Sequence, residues 1–190
     1  MLGLGTSLVT QGFSEGTSPP VTLATYASDF SSNLNGWADS VASTNITGNN
    51  DAVADQTSTS KDDCLKVEFT STLTSNYELK RNNTLASGGI VAGDTVSVSF
   101  SYLFQDPDNN SSGTRFYFQL GSYDASRVES FIVFPSIENL WLTNTFEFTA
   151  PSATPSREII LRWSQGSYYP KENNLFYMKD ISVTHSGQAR

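Results

Sequence analysis

Few residues of this chain could perform covalent or acid-base chemistry. It has one cysteine, Cys64, and one histidine, His185, beside 19 carboxylates. A Ser-His-Asp triad or a Cys-His dyad needs a buried, oriented imidazole. His185 lies in the polar segment 185–190, which we interpret as a solvated end. A zinc site needs more Cys and His ligands than these two. A glycosidase pair among the carboxylates stays open, because its separation of about 5 to 9.5 Å cannot be read from sequence. We predict a non-enzymatic protein with no catalytic residues, no metal and no cofactor.

The composition favours strands over helices. The chain of 190 residues contains 28 Ser and 20 Thr, and only 16% of its residues are charged, below the usual ~25% of globular proteins. Helical bundles are rich in Ala, Glu, Lys and Leu, whereas Thr, Tyr, Phe and Val favour strands. We therefore predict an all-β protein.

The charge argues against two classes of partner. The net charge is −8, and no Lys or Arg precedes Lys61. Phosphate backbones and anionic lipids are bound through basic surfaces. The longest apolar run, 131–134, is far shorter than the ~20 residues of a transmembrane helix. We predict neither a nucleic-acid partner nor a membrane partner.

From Val21 onward, short alternating segments are separated by clusters of Gly, Asn, Asp, Ser and Pro, as in antiparallel strands. The clearest strand is 95–104. Further strands are predicted at 21–26, 64–70, 76–81, 114–120, 130–134, 143–149, 157–163 and 175–184, with a weaker one between Ala38 and Ile46. Ten short strands fit two packed sheets better than one open sheet. We predict an antiparallel β-sandwich of jelly-roll type over residues 21–184, followed by a tail at 185–190.

The alternation also predicts which side chains face the core. In 95–104 one face is apolar and the other carries Ser97, Ser99 and Ser101, with Leu103 as an exception. Cys64 opens its strand on the face opposite Leu65. In the last strand, a bulge near Lys179 and Asp180 would let both apolar sets face the core. The side chains predicted to lie between the sheets are Phe69, Phe100, Phe116, Phe118, Phe146, Phe148, Ile159 and Leu161.

The first 20 residues differ from the rest of the chain. They end in Pro19-Pro20 and are too rich in glycine to bury their apolar residues by folding alone. The segment is either a frayed tail or an extended arm that lies on a neighbouring subunit by strand addition. We favour the extended N-terminal arm, in an oligomeric or symmetric assembly. Its predicted partner-binding residues are Leu2, Leu4, Leu8, Val9 and Phe13.

Two segments carry a resemblance to a known family. These segments resemble the first and last motifs of carbohydrate-binding-module-like (galactose-binding-like) jelly rolls. The first is residues 28–37, Ser-Asp-Phe-Ser-Ser-Asn-Leu-Asn-Gly-Trp, and the second is residues 176–183, Phe-Tyr-Met-Lys-Asp-Ile-Ser-Val. The resemblance implies a domain that binds a sugar or serves as an adhesin or structural unit. Some members hold a structural calcium. Here Lys179 stands where a ligand is expected, so we predict no metal, with Asp29 and Asp180 as turn and bulge residues.

The resemblance also implies how a sugar would be bound. Members stack exposed Trp or Tyr rings on pyranose rings and hydrogen-bond the hydroxyls with neighbouring polar groups. Trp141, Tyr168 and Tyr169 lie in connections and are the predicted carbohydrate-binding residues. Such aromatics also cover a sandwich end or pack on another subunit, and both alternatives stay open. Trp37 and Trp163 are predicted to be core residues.

A second resemblance concerns the N-terminus. Residues 1–8, Met-Leu-Gly-Leu-Gly-Thr-Ser-Leu, are similar to the start of small virion proteins of tailed bacteriophages. This implies a virion structural protein, of capsid decoration or tail accessory type, that is located in the virion and binds other virion proteins through its arm. Weak glycan binding would be multivalent on such a particle. The alternative is a carbohydrate-binding module that acts in adhesion or is attached to a glycan-active enzyme.

Overall fold

The computed structural model describes residues 18–28, 30, 35–39, 45–49, 63–72, 77–110, 113–120, 129–133, 140–155, 157–163 and 168–190, with the backbone alone at 39, 45–49 and 129–133. The predicted arm residues Leu2, Leu4, Leu8, Val9 and Phe13, and Asp29, lie outside these ranges. In the part of the chain that is described, no helix has the length and apolar character of a membrane span.

The described residues form eleven strands, in chain order β1 (Val21–Ala27), β2 (Trp37–Asp39), β3 (Asn45–Asn49), β4 (Cys64–Glu68), β5 (Tyr77–Arg81), β6 (Thr95–Gln105), β7 (Thr114–Leu120), β8 (Glu129–Val133), β9 (Leu142–Thr149), β10 (Ile159–Trp163) and β11 (Leu175–Gly187). Most of the predicted strands match to within two residues at each end. The weak strand expected between Ala38 and Ile46 is instead two strands, β2 and β3, which belong to different sheets.

The strands form two sheets, and all their pairings are antiparallel. The six-stranded sheet has the order β3-β4-β11-β6-β9, with β1 also paired to β11, and the five-stranded sheet has the order β2-β5-β10-β7-β8. The strand β11 is the longest, and its two halves pair with β4 and then β1 along one edge. The predicted antiparallel β-sandwich of jelly-roll type is confirmed.

The core lies between the two sheets and is dominated by aromatic rings. Phe100 of β6 meets Phe118 of β7 with ring centroids 4.6 Å apart, and Phe116 meets Phe176 of β11 at 4.8 Å. Edge-to-face and tilted contacts of this kind stabilise a core beyond the area they bury. All eight side chains predicted for the core belong to it, with Phe146 and Phe148 partly buried. The predicted burial of Trp37 and Trp163 is likewise confirmed.

The bulge in the last strand is confirmed. The register of β11 against β6 shifts between Lys179 and Ser182, and Asp180 has a positive φ of 52°. Before the bulge, Phe176 and Met178 face the core; after it, Ile181 and Val183 do. One extra residue therefore places two apolar sets of opposite parity on the same side of the sheet.

The interpretation of His185 as part of a solvated end is wrong. The strand β11 continues three residues beyond the predicted end at Thr184, to Gly187. His185 pairs with Val96 of β6 on one side and Ala24 of β1 on the other, and it is fully buried. Its neighbours in sequence are polar, and its burial comes from distant strands that the local pattern does not reveal.

Candidate functional site

Large polar side chains cover the outer face of the five-stranded sheet. In β5, β7 and β10, alternate residues point into the sandwich core, so the residues between them face outward. The register places Glu78, Arg162 and Tyr117 in one row across the three strands. The next row along the strands consists of Lys80, Ile160 and Gln119. Adjacent positions in each row are separated by the strand spacing of about 4.8 Å.

One carboxylate of this surface is shared by two cations. Glu78 Oε1 lies 3.8 Å from Arg162 Nε, and Glu78 Oε2 lies 3.4 Å from Lys80 Nζ. The exposed fractions of the side chains are 18% for Arg162, 26% for Glu78 and 35% for Lys80. These groups are half-buried, so solvent screens them only in part, and they remain within reach of a ligand.

Tyr168 borders this surface. Its carbonyl oxygen accepts a hydrogen bond from the Arg115 N–H of β7 at 3.1 Å. The Arg115 guanidinium carbon lies 5.9 Å from the centroid of the Tyr168 ring, within the range of a cation–π contact. The backbone bond attaches Tyr168 to the sheet without using its side chain. The phenol ring therefore stands beside the outward-facing arginine.

The floor of the surface is buried although it lies outside the main core. Tyr117, Gln119 and Ile160 are each at most 4% exposed, yet none belongs to the cluster between the sheets. They form a layer on the outer side of the sheet, with the half-buried residues Arg115, Arg162, Glu78 and Lys80 around them. An aromatic ring, guanidinium groups, an ammonium and a carboxylate are thus held at fixed positions by three paired strands.

Trp141 lies on the opposite side of the sandwich. It packs against Cys64, Leu103 and Tyr177, a small apolar cluster on the outer face of the six-stranded sheet. The Lys179 ammonium sits 4.4 Å from its ring centroid. The predicted orientation of Cys64, opposite Leu65, is confirmed by this cluster. Trp141 therefore does not join Tyr168 in one site.

Tyr169 is also separate from this surface. Its ring lies 4.0 Å from Lys171 Nζ, and the same ammonium donates a hydrogen bond of 2.7 Å to the phenol oxygen. The ring and hydroxyl of Tyr169 are both engaged with Lys171, which makes its side chain a packing element of the connection before β11. Of the three predicted carbohydrate-binding residues, Tyr168 is the one with a contact to the five-stranded sheet among the residues described, through Arg115.

Sequence reasoning missed most of this surface, namely Glu78, Arg115, Tyr117, Gln119 and Arg162. A signal was available. Three outward positions of β6 are small hydroxyls, Ser97, Ser99 and Ser101, and Leu103 belongs to the small cluster packed by Trp141. The outward positions of β5, β7 and β10 are instead large residues, and all of them except Ile160 carry planar or charged groups. This contrast between the two faces makes the outer face of the five-stranded sheet the candidate site.

The residues near the bulge do not fit a calcium ion. Lys179 places its ammonium over Trp141, and a cation at a ligand position disfavours a metal that needs six to eight oxygens. Asp180 has the positive φ of a bulge residue. Among the described residues, no group of three or more His, Cys, Asp or Glu side chains could hold a metal ion.

His185 belongs to a polar cluster at the end of the sandwich. Its Nε2 lies 3.0 Å from Asp94 Oδ2, and its Nδ1 accepts a hydrogen bond from the Ala86 N–H at 3.2 Å. Arg190 donates to both oxygens of Asp94, at 3.0 and 2.8 Å. Burial would raise the pKa of Asp94, but the hydrogen bonds from Arg190, the Val91 N–H and His185, with the Arg190 charge, lower it to about 2. Both imidazole nitrogens are engaged, so the cluster has a structural role.

Comparisons with solved structures identify similar folds. The CBM1 module of BiXyn10A is 16% identical over 84% of this chain and 96% of that module, with a TM-score of 0.54. The CBM22-1 xylan-binding domain of Paenibacillus barcinonensis Xyn10C is 9% identical over 86% of this chain and 95% of that domain, with a TM-score of 0.53. Two larger solved structures also match. The matching region is 27% of the chain of the MgGH51 α-L-arabinofuranosidase and 30% of the chain of the CBM22-1-GH10 modules of Clostridium thermocellum Xyn10B.

An adhesin has a similar fold. The K1 cleaved adhesin domain of Lys-gingipain from Porphyromonas gingivalis W83 is 14% identical over 84% of this chain and 96% of that domain, with a TM-score of 0.54. No protein-family model and no curated protein sequence matches the chain. At these identities the similarity concerns the fold alone. The chain has the β-sandwich fold seen in carbohydrate-binding modules and in an adhesin domain.

Proposed function

We propose that this protein is a non-catalytic carbohydrate-binding domain, and that it binds glycan on the outer face of its five-stranded sheet. The observation that carries the proposal is the row of Glu78, Arg162 and Tyr117 across three paired strands, with Tyr168 beside it. Sugar recognition combines an aromatic surface for the apolar face of the ring with planar polar groups for the hydroxyls. Here the Tyr168 ring, attached to β7 through its backbone hydrogen bond, supplies the aromatic surface, and Glu78, Lys80 and Arg162 on paired strands supply the polar groups.

The fold similarity supports the same proposal. The Xyn10C domain named above is a xylan-binding domain, and the Lys-gingipain domain is an adhesin domain. This similarity favours the carbohydrate-binding alternative over a virion structural role. The virion location and the absence of enzymatic activity stay predictions. The arm as an anchor stays one as well, because residues 1–17 lie outside the described ranges.

A glycan array followed by titration calorimetry of the full chain tests the proposal. We expect binding of at least one polysaccharide, and Tyr168→Ala should weaken it about tenfold, or ~1.4 kcal/mol, because a stacking ring is lost. The Tyr168 backbone hydrogen bond to Arg115 remains in this variant, so the loop should keep its position.

Trp141→Ala is the matched control, since it removes a half-buried aromatic ring from the opposite sheet. This variant should bind as the native protein does. Absence of binding to every glycan would overturn the proposal. Loss of binding in Trp141→Ala but not in Tyr168→Ala would move the site to the six-stranded sheet.

A further inference from the structure

We propose that the glycan bound on this surface is acidic, carrying carboxylate or sulfate groups on its sugars. The inference rests on the proposed function and names the class of ligand. It follows from the charges of the outer face of the five-stranded sheet, from the hydrogen-bonding state of two arginines there, and from their spacing.

The first argument is the local charge. The outward positions within β5, β7 and β10 carry the cations Lys80, Arg115 and Arg162 against the single carboxylate Glu78. The chain as a whole has a net charge of −8, so this face is opposite in sign to the rest of the molecule. If Glu158, just before β10, is counted as a second carboxylate, the three cations still outnumber the carboxylates. Because charges are screened over about 8 Å at physiological salt, a ligand at contact responds to these local cations more than to distant acids.

The second argument is the state of the guanidinium donors. Arg115 Nε and Arg162 Nε are both buried, and neither has a hydrogen-bond partner among the residues described. The distance of 3.8 Å from Arg162 Nε to Glu78 is that of an ion pair and too long for a hydrogen bond. A buried donor without a partner carries a desolvation cost. An anionic ligand oxygen would satisfy such donors with charge-assisted hydrogen bonds.

The third argument is geometry. Arg162 is directly opposite Tyr117 in the register, and Arg115 lies two residues before Tyr117 on the same strand. The two arginines are therefore diagonal neighbours, with Cα atoms about 7–8 Å apart. Both project from paired strands, and their planar groups match a carboxylate or sulfate better than a lysine does. One charged sugar, or two adjacent ones, can contact both arginines while a ring packs on Tyr168.

The test compares polymers that differ in charge alone. Calorimetry of the full chain uses polygalacturonate against its fully methyl-esterified form, and dextran sulfate against dextran. We expect at least one charged polymer to bind about tenfold more tightly than its neutral counterpart. Its binding should weaken as NaCl rises from about 0.05 to 0.5 M. The first pair reports recognition of carboxylate and the second recognition of sulfate.

Variants assign the effect to the named arginines. Arg162→Gln and Arg115→Gln should each weaken binding of the charged polymer about tenfold, and Arg162→Lys should restore only part of it, because the planar donor pair is lost. The control Lys179→Gln removes the same charge from the six-stranded sheet and should leave binding unchanged. Lys80→Gln, at a more exposed position, gives a second measurement if an arginine variant does not fold.

The outcomes separate the two proposals. Equal or tighter binding of the neutral polymers would overturn the acidic-ligand inference and leave the proposed function standing. Equal weakening by Lys179→Gln would overturn the inference as well, since it would indicate a general charge effect. Absence of binding to any charged or neutral glycan would overturn the proposed function itself.

Discussion

Asp94 is a buried carboxylate held by donors from three residues, Val91, His185 and Arg190. The Val91 N–H lies 2.7 Å from its Oδ2, His185 approaches the same oxygen, and Arg190 contacts both oxygens. The Asp94 side chain is only 4% exposed. Gly187 passes so close that a Cβ there would collide with Asp94 Oδ1. This carboxylate therefore ties the β5–β6 connection to the end of β11.

The low pKa of Asp94, about 2, predicts a loss of stability in acid. The folded pKa lies below the unfolded value of about 3.9, so the stabilisation is present above pH ~4 and is lost as the pH falls towards ~2. In Arg190→Ala the Asp94 pKa should rise towards its unfolded value. The variant should therefore lose less stability than the native protein when the pH falls from ~4 to ~2. At pH 7 the variant should be less stable by about 1–3 kcal/mol.

Urea unfolding of the native protein and of Arg190→Ala, at intervals of about one pH unit between ~2 and ~7, measures the free energy of unfolding at each pH. Lys66→Ala is the control, because Lys66 pairs at 3.0 Å with Glu68, whose side chain is 40% exposed, and such surface pairs contribute about 0–1 kcal/mol. Identical pH profiles for the native protein and Arg190→Ala would contradict the prediction.

The strand β11 organises the six-stranded sheet through its bulge. It pairs with β6 along most of its length and with β4 and β1 in turn on the other edge. The bulge at Asp180 resets the parity of the strand between these two halves. Its position was predictable, because Phe176 and Met178 have the parity of Asp180 whereas Ile181 and Val183 have the other, and both sets are apolar.

The positive φ of Asp180, 52°, predicts how this position responds to substitution. Asp180→Gly should be neutral or stabilising, since glycine adopts this conformation without a steric cost. Asp180→Val should destabilise the protein by about 1–2 kcal/mol, because a β-branched residue is strained there. Denaturant midpoints of the two variants check the prediction, and equal midpoints would contradict it.

At the scale of the whole molecule, the Cys64 thiol reports on unfolding. Cys64 is fully buried beneath the small cluster that includes Leu103 and Tyr177, with Trp141 packed against it. A buried thiol in apolar surroundings is inert. Its reaction with a thiol reagent should therefore require the six-stranded sheet to open.

We expect Cys64 to react at least about 1000-fold more slowly in the native protein than in urea, in keeping with the usual stability of a domain. Trp141→Ala should raise the native rate, because it removes one of the side chains that cover the cluster. Absorbance of the released reagent follows the reaction. Labelling of the native protein as fast as the unfolded chain would show that Cys64 is accessible and contradict the described packing.

The distribution of charge also belongs to the whole molecule. A chain with a net charge of −8 argues against a basic surface, and composition alone gave no reason to expect one. Lys80, Arg115 and Arg162 come from strands separated by many residues, and the sheet brings them together around Tyr117 and Tyr168. Composition therefore excluded large basic surfaces without excluding a small cationic one.

The all-β class, most of the strands and the core-facing side chains follow from the sequence alone, because a period of two is a local property of each strand. Phe100 and Phe118 are identifiable as core residues in this way. Which outward residues meet depends on the tertiary fold, since Glu78 and Arg162 become neighbours through the pairing of β5 with β10. The tertiary fold also decides the burial of His185, whose partner Asp94 lies 91 residues away in sequence. Pairing between distant strands leaves no local pattern, and the candidate site is made by that pairing.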